Sequence, residues 1–207
     1  MPFIRFAQRN ILFIHIPRTG GTTVEHWLSQ LGALGLHSYS LPNVMRVTPQ
    51  HLRVNDVEEL IGDNYFEYTF AIVRNPFDRI ASEFRLRRKL ALEGVFNASP
   101  RFSSWLENQL DAARKNPFHL DNHFRPQWEF VSSAVDVYKY EDGLREILTK
   151  VAEKIGAPAP AALPQKLSTG DLNESVRFDI ADVERIRSVY AADFERFGYA
   201  ATPPAVG

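Results

Sequence analysis

A short segment near the start of the chain combines residue types that bind phosphate. It reads His15-Ile-Pro-Arg-Thr-Gly-Gly-Thr-Thr23. Gly20 and Gly21 allow the backbone to turn and to approach a ligand closely, because glycine has no Cβ atom. Arg18 offers a permanent cation. Further hydroxyl donors come from Thr19, Thr22 and Thr23. The segment therefore predicts an anion site, most commonly a phosphate site.

This segment differs from the common nucleotide-binding loops. A Walker A loop requires G-x-x-x-x-G-K-[ST], and neither its first glycine nor its Gly-Lys pair is present here. A dinucleotide-binding fingerprint requires three spaced glycines, which are also missing. A tight strand-to-helix turn that binds no ligand remains an alternative interpretation.

A second cationic segment reads Arg74-Asn-Pro-Phe-Asp-Arg-Ile-Ala-Ser82. The guanidinium fork of Arg74 suits a bidentate contact with phosphate, and Ser82 adds a hydroxyl two turns into a predicted helix. The segment therefore predicts a second phosphate site. The alternative is that Arg74 only caps the helix through an ion pair with Asp78.

The elements around both segments must bring them to one edge of a sheet. The apolar run Ile11–Ile16 predicts a buried strand. A helix is expected from Thr22, because Thr22 and Glu25 have the spacing of a capping box. Tyr68–Arg74 predicts a second strand, which would place Arg74 at a carboxyl end. Open α/β sheets bind their ligands at these ends.

The remaining predicted elements continue the alternation of strands and helices. They are a helix at 55–61, a helix from Ser99-Pro100 to about Arg114, a strand at Val135–Tyr140, a helix led by Asp142 and stopped by Gly156, and a helix at Asp179–Phe197 ended by Gly198. Asn55 and Glu58 are spaced as a capping pair for the first helix. The buried face of the last helix is predicted to contain Val183, Ile186, Tyr190 and Phe197. The pattern predicts an α/β fold of three layers with a central parallel sheet flanked by helices, as a single domain over residues 1–207.

Together, the two segments resemble the motifs of PAPS-dependent sulfotransferases, in particular the carbohydrate sulfotransferase branch. His15–Thr22 matches H-I-P-[KR]-T-G-G-T, which cradles the 5′-phosphosulfate of 3′-phosphoadenosine 5′-phosphosulfate (PAPS). Val73–Ser82 matches V-R-[ND]-P-x-[DE]-R-x-x-S, whose first Arg and Ser bind the 3′-phosphate. The resemblance continues in Asp121–Gln127, Tyr138–Asp142 and Asp193–Tyr199. It extends from about Ile11 to Tyr199.

The resemblance implies a P-loop-like fold and transfer of a sulfuryl group from PAPS to an acceptor hydroxyl on a carbohydrate or glycoconjugate. The residues it implies for PAPS are Arg18, Thr19, Gly20, Gly21, Thr22, Thr23, Arg74 and Ser82. Positioning and charge stabilisation dominate such a transfer, so we expect no metal cofactor. Arg18 stands where the family usually has Lys. Arg18 can stabilise charge on the leaving phosphate, but arginine does not give up its own proton.

A base must accept the proton of the acceptor hydroxyl, and six histidines compete for this role. His51 lies between the two motifs, where relatives that sulfate uronic acid hydroxyls place a catalytic histidine. His123 is the second candidate, and Glu83 is a weaker carboxylate candidate. His15 is expected to line the cradle or the core. A purely structural hydrogen bond is the alternative for each histidine.

Composition limits the classes of function. The chain has 207 residues, 44% hydrophobic residues and a net charge of −1. These values indicate a soluble globule with no reason to expect a nucleic-acid or membrane partner. The absence of cysteine excludes disulfides and thiolate chemistry. No segment approaches the ~20 apolar residues of a membrane span.

The composition and the resemblance together predict a cytoplasmic, bacterial-type enzyme that acts on a small-molecule or glycan acceptor. Two other classes remain open. A nucleotide or sugar kinase would share the layout but should show Gly-Lys-[ST] and an Mg²⁺-binding acid. A non-catalytic nucleotide-binding module would keep the phosphate-binding loop and lose the base.

Overall fold

The computed structural model of the chain describes residues 1–92, 101–163 and 176–204. They form a mixed α/β arrangement with a mostly parallel sheet flanked by helices, as predicted for the fold class. These residues group into two compact units. The first unit contains residues 1–74 and 127–163, and the second contains residues 75–92, 101–126 and 176–204.

Among the described residues, two helices separate each parallel strand from the next. The strands are β1 Phe3–Phe6, β2 Arg9–Ile14, β3 Tyr68–Val73 and β4 Asp136–Lys139. The helices are α1 Gly21–Leu31, α2 Val54–Ile61, α3 Pro76–Leu92, α4 Phe102–Lys115, α5 Leu144–Ile155, α6 Ile180–Val189 and α7 Ala191–Phe197. Short 3₁₀ turns lie at Pro49–His51, Gln127–Phe130 and Tyr140–Asp142.

The sheet of the first unit has the strand order β1-β2-β3-β4. β1 runs antiparallel to β2, whereas the β2–β3 and β3–β4 pairs are parallel. The sequence analysis did not predict β1. Its hairpin turn has φ of 46° at Ala7 and 64° at Gln8. Asn-Gly usually signals that conformation, so the Ala-Gln pair carried no recognisable turn signal.

One face of this sheet packs against α1 and α5. Phe13 and Phe70 of the sheet, Trp27 of α1 and Leu148 of α5 belong to a single buried apolar cluster. The buried residues of α5 recur with the spacing of one helix face and are Ile147, Leu148, Val151, Ala152 and Ile155. The helix ends at Gly156, which has φ of 72° and caps the last turn as expected.

The start of α1 differs from the prediction. β2 ends at Ile14, two residues before the predicted end. The N-cap of α1 is Gly20, with φ of 90°, and no side chain caps the helix. The predicted capping box of Thr22 and Glu25 is therefore wrong. Glu25 instead hydrogen-bonds the side chain of His15, in the loop that precedes the helix.

Two other element boundaries also differ. The predicted Asn55–Glu58 capping pair of α2 is wrong, because the Asp56 carboxylate accepts the backbone N–H of Arg53 at 2.8 Å. The predicted start of α4 at Ser99-Pro100 lies outside the described residues. The observed helix ends one residue beyond the predicted Arg114.

The second unit is helical and has an aromatic core. Its buried cluster includes Phe77, Phe84, Trp105, Phe124, Tyr190 and Phe194. The single helix predicted at Asp179–Phe197 is broken into α6 and α7 at Tyr190, whose hydroxyl donates to the Phe124 carbonyl at 2.9 Å. Because of this break, Phe194 is buried and Phe197 is only partly buried.

Candidate active site

The predicted phosphate-binding loop, residues 15–20, follows β2 at the carboxyl edge of the parallel strands. Arg74 follows the neighbouring strand β3 at the same edge. Arg74 Nη1 donates to the Arg18 carbonyl at 3.4 Å. The structure therefore brings Arg74, the first residue of the second segment, into contact with the first segment.

The loop has a strained backbone that local hydrogen bonds hold in place. Arg18 has φ of 69°, a left-handed conformation that costs a non-glycine residue about 1–2 kcal/mol. The buried Thr19 hydroxyl donates to the Ile16 carbonyl at 2.9 Å. The Thr23 N–H donates to the Gly20 carbonyl at 3.0 Å, where α1 begins. The loop thus ends at a helix N-terminus, whose dipole favours an anion.

Gly20 of the loop and Gly21, the first residue of α1, are both in close contact with side chains. A Cβ atom added to Gly21 would lie 2.0 Å from His15 Nε2. At Gly20 it would lie 2.9 Å from the Leu144 side chain and 3.1 Å from the Tyr140 ring. No larger residue fits at either position without moving these neighbours. His15 therefore forms a wall of the loop, one of the two roles expected for it.

Arg74 is held on its backbone and on its guanidinium group. Gln127 is fully buried, accepts the Arg74 N–H at 2.9 Å and donates to the Arg74 carbonyl at 2.8 Å. The guanidinium carbon lies 4.3 Å from the centre of the Tyr140 ring, a cation–π contact. Arg74 Nε is buried and has no hydrogen-bond partner among the described residues. This leaves a preorganised cation with an unused donor.

Sequence reasoning missed the roles of Gln127 and Tyr140. Both residues lie in stretches that resemble the family, Asp121–Gln127 and Tyr138–Asp142, but no local pattern links either one to Arg74. Gln127 is 53 positions from Arg74 along the chain. Only the tertiary structure brings the two residues together.

A buried ion pair lies behind the loop. His15 Nδ1 and Glu25 Oε1 are 2.6 Å apart, and both side chains are almost fully buried. The Gln50 amide also donates to Glu25 Oε1 at 2.6 Å. Burial alone would raise the pKa of Glu25, but the hydrogen bonds and the positive charge of its partners lower that pKa overall. The carboxylate is therefore stabilised in its ionised form.

His51 lies next to this pair. It ends the 3₁₀ turn Pro49–His51 and is only 9% exposed. Its ring meets the His15 ring edge-on, with the centroids 4.9 Å apart. The first candidate base thus shares a unit with the loop and contacts its wall. The assignment of His51 as the base remains a prediction.

Ser82 and His123 belong to the second unit. Ser82 is buried on α3. His123 Nδ1 lies 2.8 Å from Glu83 Oε2, and the other oxygen of Glu83 accepts Arg87 Nε at 2.7 Å. The buried Arg79 donates to the His123 carbonyl at 2.9 Å. The contacts with His123 and Arg87 therefore engage both oxygens of Glu83, the carboxylate candidate for the base.

No group of three or more His, Cys, Asp or Glu side chains among the described residues is arranged to hold a metal ion. None of the helices in this part of the chain is long and apolar enough to cross a membrane.

Comparison with known proteins gives one match. The model of the sulfotransferase family matches residues 1–200, a range that includes both segments of the candidate site. Comparisons with curated proteins and with solved structures give no significant match.

Proposed function

Because the chain belongs to the sulfotransferase family, we propose that it transfers the sulfuryl group of PAPS to an acceptor hydroxyl. The observation that carries this proposal is the contact between Arg74 and the phosphate-binding loop. Arg74 has an unused buried donor that suits one phosphate group, and the adjacent glycine loop suits another. This arrangement fits a nucleotide that carries two separate phosphate groups.

We assign the two ends of PAPS to the two segments. Arg18, Thr19, Gly20, Gly21, Thr22 and Thr23 would hold the 5′-phosphosulfate, and Arg74 with Ser82 would hold the 3′-phosphate. In the transfer, the acceptor oxygen bonds to sulfur as the bond from sulfur to the 5′-phosphate oxygen breaks. Arg18 and the α1 N-terminus would stabilise the charge left on that phosphate. A metal ion is not needed for this role.

We propose His51 as the base that takes the acceptor proton, with His123 as the alternative. His51 contacts the loop wall through His15, which supports its position close to the sulfuryl group. His123 is hydrogen-bonded to a buried carboxylate, which suits either a base or an orienting residue.

The motif resemblance supports the finer parts of the proposal. These are membership of the carbohydrate branch, a carbohydrate or glycoconjugate acceptor, a three-layer P-loop-like fold, a single domain and a cytoplasmic, bacterial-type protein. The sequence carries no recognisable code for the acceptor itself.

Transfer from radiolabelled PAPS to a panel of glycans, lipids and small alcohols tests the function. We expect a labelled product and release of the 3′,5′-bisphosphate, with ATP inactive as a donor. Phosphate transfer from ATP would support a kinase instead. PAPS binding without transfer to any acceptor would indicate a non-catalytic nucleotide-binding module.

A further inference from the structure

A single buried carboxylate connects three segments around the phosphate-binding loop. Glu25 projects from α1 and is 3% exposed. Its Oε1 accepts from His15 in the loop and from Gln50 in the 3₁₀ turn, both at 2.6 Å. Its Oε2 lies 3.5 Å from His37 Nε2. The mechanism proposed above assigns no role to this residue.

Burying a carboxylate is unfavourable unless charge and hydrogen bonds compensate for the lost water. Glu25 Oε2 has no hydrogen-bond partner among the described residues, so the hydrogen bonds of the carboxylate are concentrated on Oε1. The two donors on Oε1 come from the segments that carry the loop wall and the candidate base. The carboxylate therefore restrains these two segments together.

The contacts also determine how the His15 ring is oriented. A carboxylate oxygen 2.6 Å away requires a proton on His15 Nδ1, which leaves Nε2 on the side of Gly21. Gln50 Nε2 lies 3.1 Å from the same Nδ1, so both groups donate to one oxygen of Glu25. His51 directly follows Gln50 and contacts the His15 ring.

We propose that Glu25 is a positioning residue that couples the phosphate-binding loop to His51. It holds the His15 ring on one side and the Gln50–His51 segment on the other. This inference rests on the proposed function, because it assumes that His51 acts on an acceptor bound beside the loop. Glu25 itself touches no substrate in this role.

Glu25→Gln tests the coupling, since it keeps the shape of the side chain and removes the charge. We expect turnover to fall by roughly 10–100-fold, the usual effect of removing the hydrogen-bond partner of a histidine in a metal site. The Kd of the 3′,5′-bisphosphate should change less than about 3-fold. The matched control is Glu59→Gln, an exposed glutamate of α2, which should leave turnover unchanged.

A double-mutant cycle with His51→Ala separates positioning from general loss of structure. If Glu25 acts through His51, Glu25→Gln should cost almost nothing further in the His51→Ala background. Additive losses in turnover would overturn the proposal. A loss confined to nucleotide affinity would also overturn it, because Glu25 would then support the loop alone.

A measurement without activity separates this inference from the proposed function. Nitrogen-15 NMR should find His15 protonated on Nδ1, and Glu25→Gln should speed exchange of the His51 amide, which donates to the Thr48 carbonyl. If these changes are found in a protein that does not transfer sulfate, the proposed function is wrong, but the restraint of His15 and the Gln50–His51 segment by Glu25 is confirmed. Unchanged spectra in an active enzyme would overturn the positioning role.

Gln50→Leu provides a second variant if Glu25→Gln does not fold. It removes only the link on the His51 side and leaves the His15–Glu25 pair in place. Turnover should again fall with nucleotide affinity retained. Wild-type turnover in Gln50→Leu would overturn the coupling.

Discussion

At the scale of single residues, the main feature of the site is a cation held from several directions. Gln127 holds the backbone of Arg74, and the Tyr140 ring and the Arg18 carbonyl hold its guanidinium group. A restrained side chain loses less entropy on binding than a mobile one. Arg74 is therefore well suited to bind one phosphate group with high selectivity.

Arg74→Ala should weaken binding of PAPS and of the 3′,5′-bisphosphate by a similar amount. Loss of a bidentate charge-assisted contact costs on the order of 1.5–3 kcal/mol. Adenosine 5′-phosphosulfate, which lacks the 3′-phosphate, should be much less affected. Titration calorimetry with the three nucleotides measures the difference. Arg5→Ala, in an exposed position on β1, is the control.

Equal losses for nucleotides with and without the 3′-phosphate would contradict this assignment. Arg74 would then serve the 5′ end or the loop structure, to which it is linked through the Arg18 carbonyl.

The two candidate bases can be separated by their kinetics. His51→Ala should lower turnover by roughly 10²–10⁴-fold, the usual range for a positioned base, with PAPS affinity almost unchanged. His123→Ala should mainly raise the acceptor KM, as expected for an orienting residue. Initial rates over a range of acceptor concentrations measure both effects.

The pH profile provides the control for this assignment. Turnover should fall at acid pH, because a protonated base cannot take the proton of the acceptor. This decrease should be absent from His51→Ala and present in His123→Ala. The reverse pattern would make His123 the base, and persistence in both variants would point to Glu83 or another group.

At the scale of elements, the junction between β2 and α1 shapes the site. Gly21 begins the helix while its Cα packs against the His15 ring. The His15 ring belongs to the loop and is hydrogen-bonded to Glu25 of α1, so the loop and the helix are joined through this side chain as well. The position of the helix N-terminus is thus tied to the side chains around the loop.

Gly21→Ala should destabilise the protein by about 1–3 kcal/mol, the usual cost of overpacking. The added Cβ would lie 2.0 Å from His15 Nε2, so the ring or the helix must shift. Urea denaturation measures the loss in stability, and nucleotide binding should weaken as well. Adding His15→Ala should restore part of the stability. No recovery in the double variant would show that the ring is not the cause.

At the scale of the whole molecule, the source of positive charge distinguishes a sulfotransferase from a kinase. We expect turnover to be independent of divalent metal ions, because Arg18 and the α1 N-terminus supply the charge that a kinase takes from Mg²⁺. Assays with EDTA and with added Mg²⁺ measure this. Loss of activity in EDTA that Mg²⁺ restores would contradict the sulfotransferase mechanism.

The acid stability of the molecule should depend on Glu25. The pKa of Glu25 is lower in the folded chain than in the unfolded chain. The stabilisation that Glu25 contributes is therefore present above the unfolded pKa, about 4.5, and decreases as the pH falls through the folded pKa. Urea denaturation at several pH values should show the free energy of unfolding decreasing below pH ~4.5. Glu25→Gln should remove part of this decrease. If the free energy of unfolding depends on pH identically in the wild-type protein and in Glu25→Gln, Glu25 is not responsible for the decrease.

The differences between expectation and structure share a physical cause. Helix stops at Gly156 and Gly198 were predicted, because a glycine C-cap depends on the adjacent backbone alone. The break at Tyr190 was not predicted, because it involves a hydrogen bond to Phe124, which is 66 positions away. β1 was missed because its turn carries an uncommon residue pair.

The sequence by itself determined the features that depend on neighbouring residues. These are the glycine loop between a strand and a helix, Arg74 after the next parallel strand, and the α/β class. The tertiary structure alone decided which side chains support them. Glu25 binds His15 and Gln50, and Arg74 is held by Gln127 and Tyr140. Such contacts join residues far apart in the chain, and local propensity and periodicity carry no information about them.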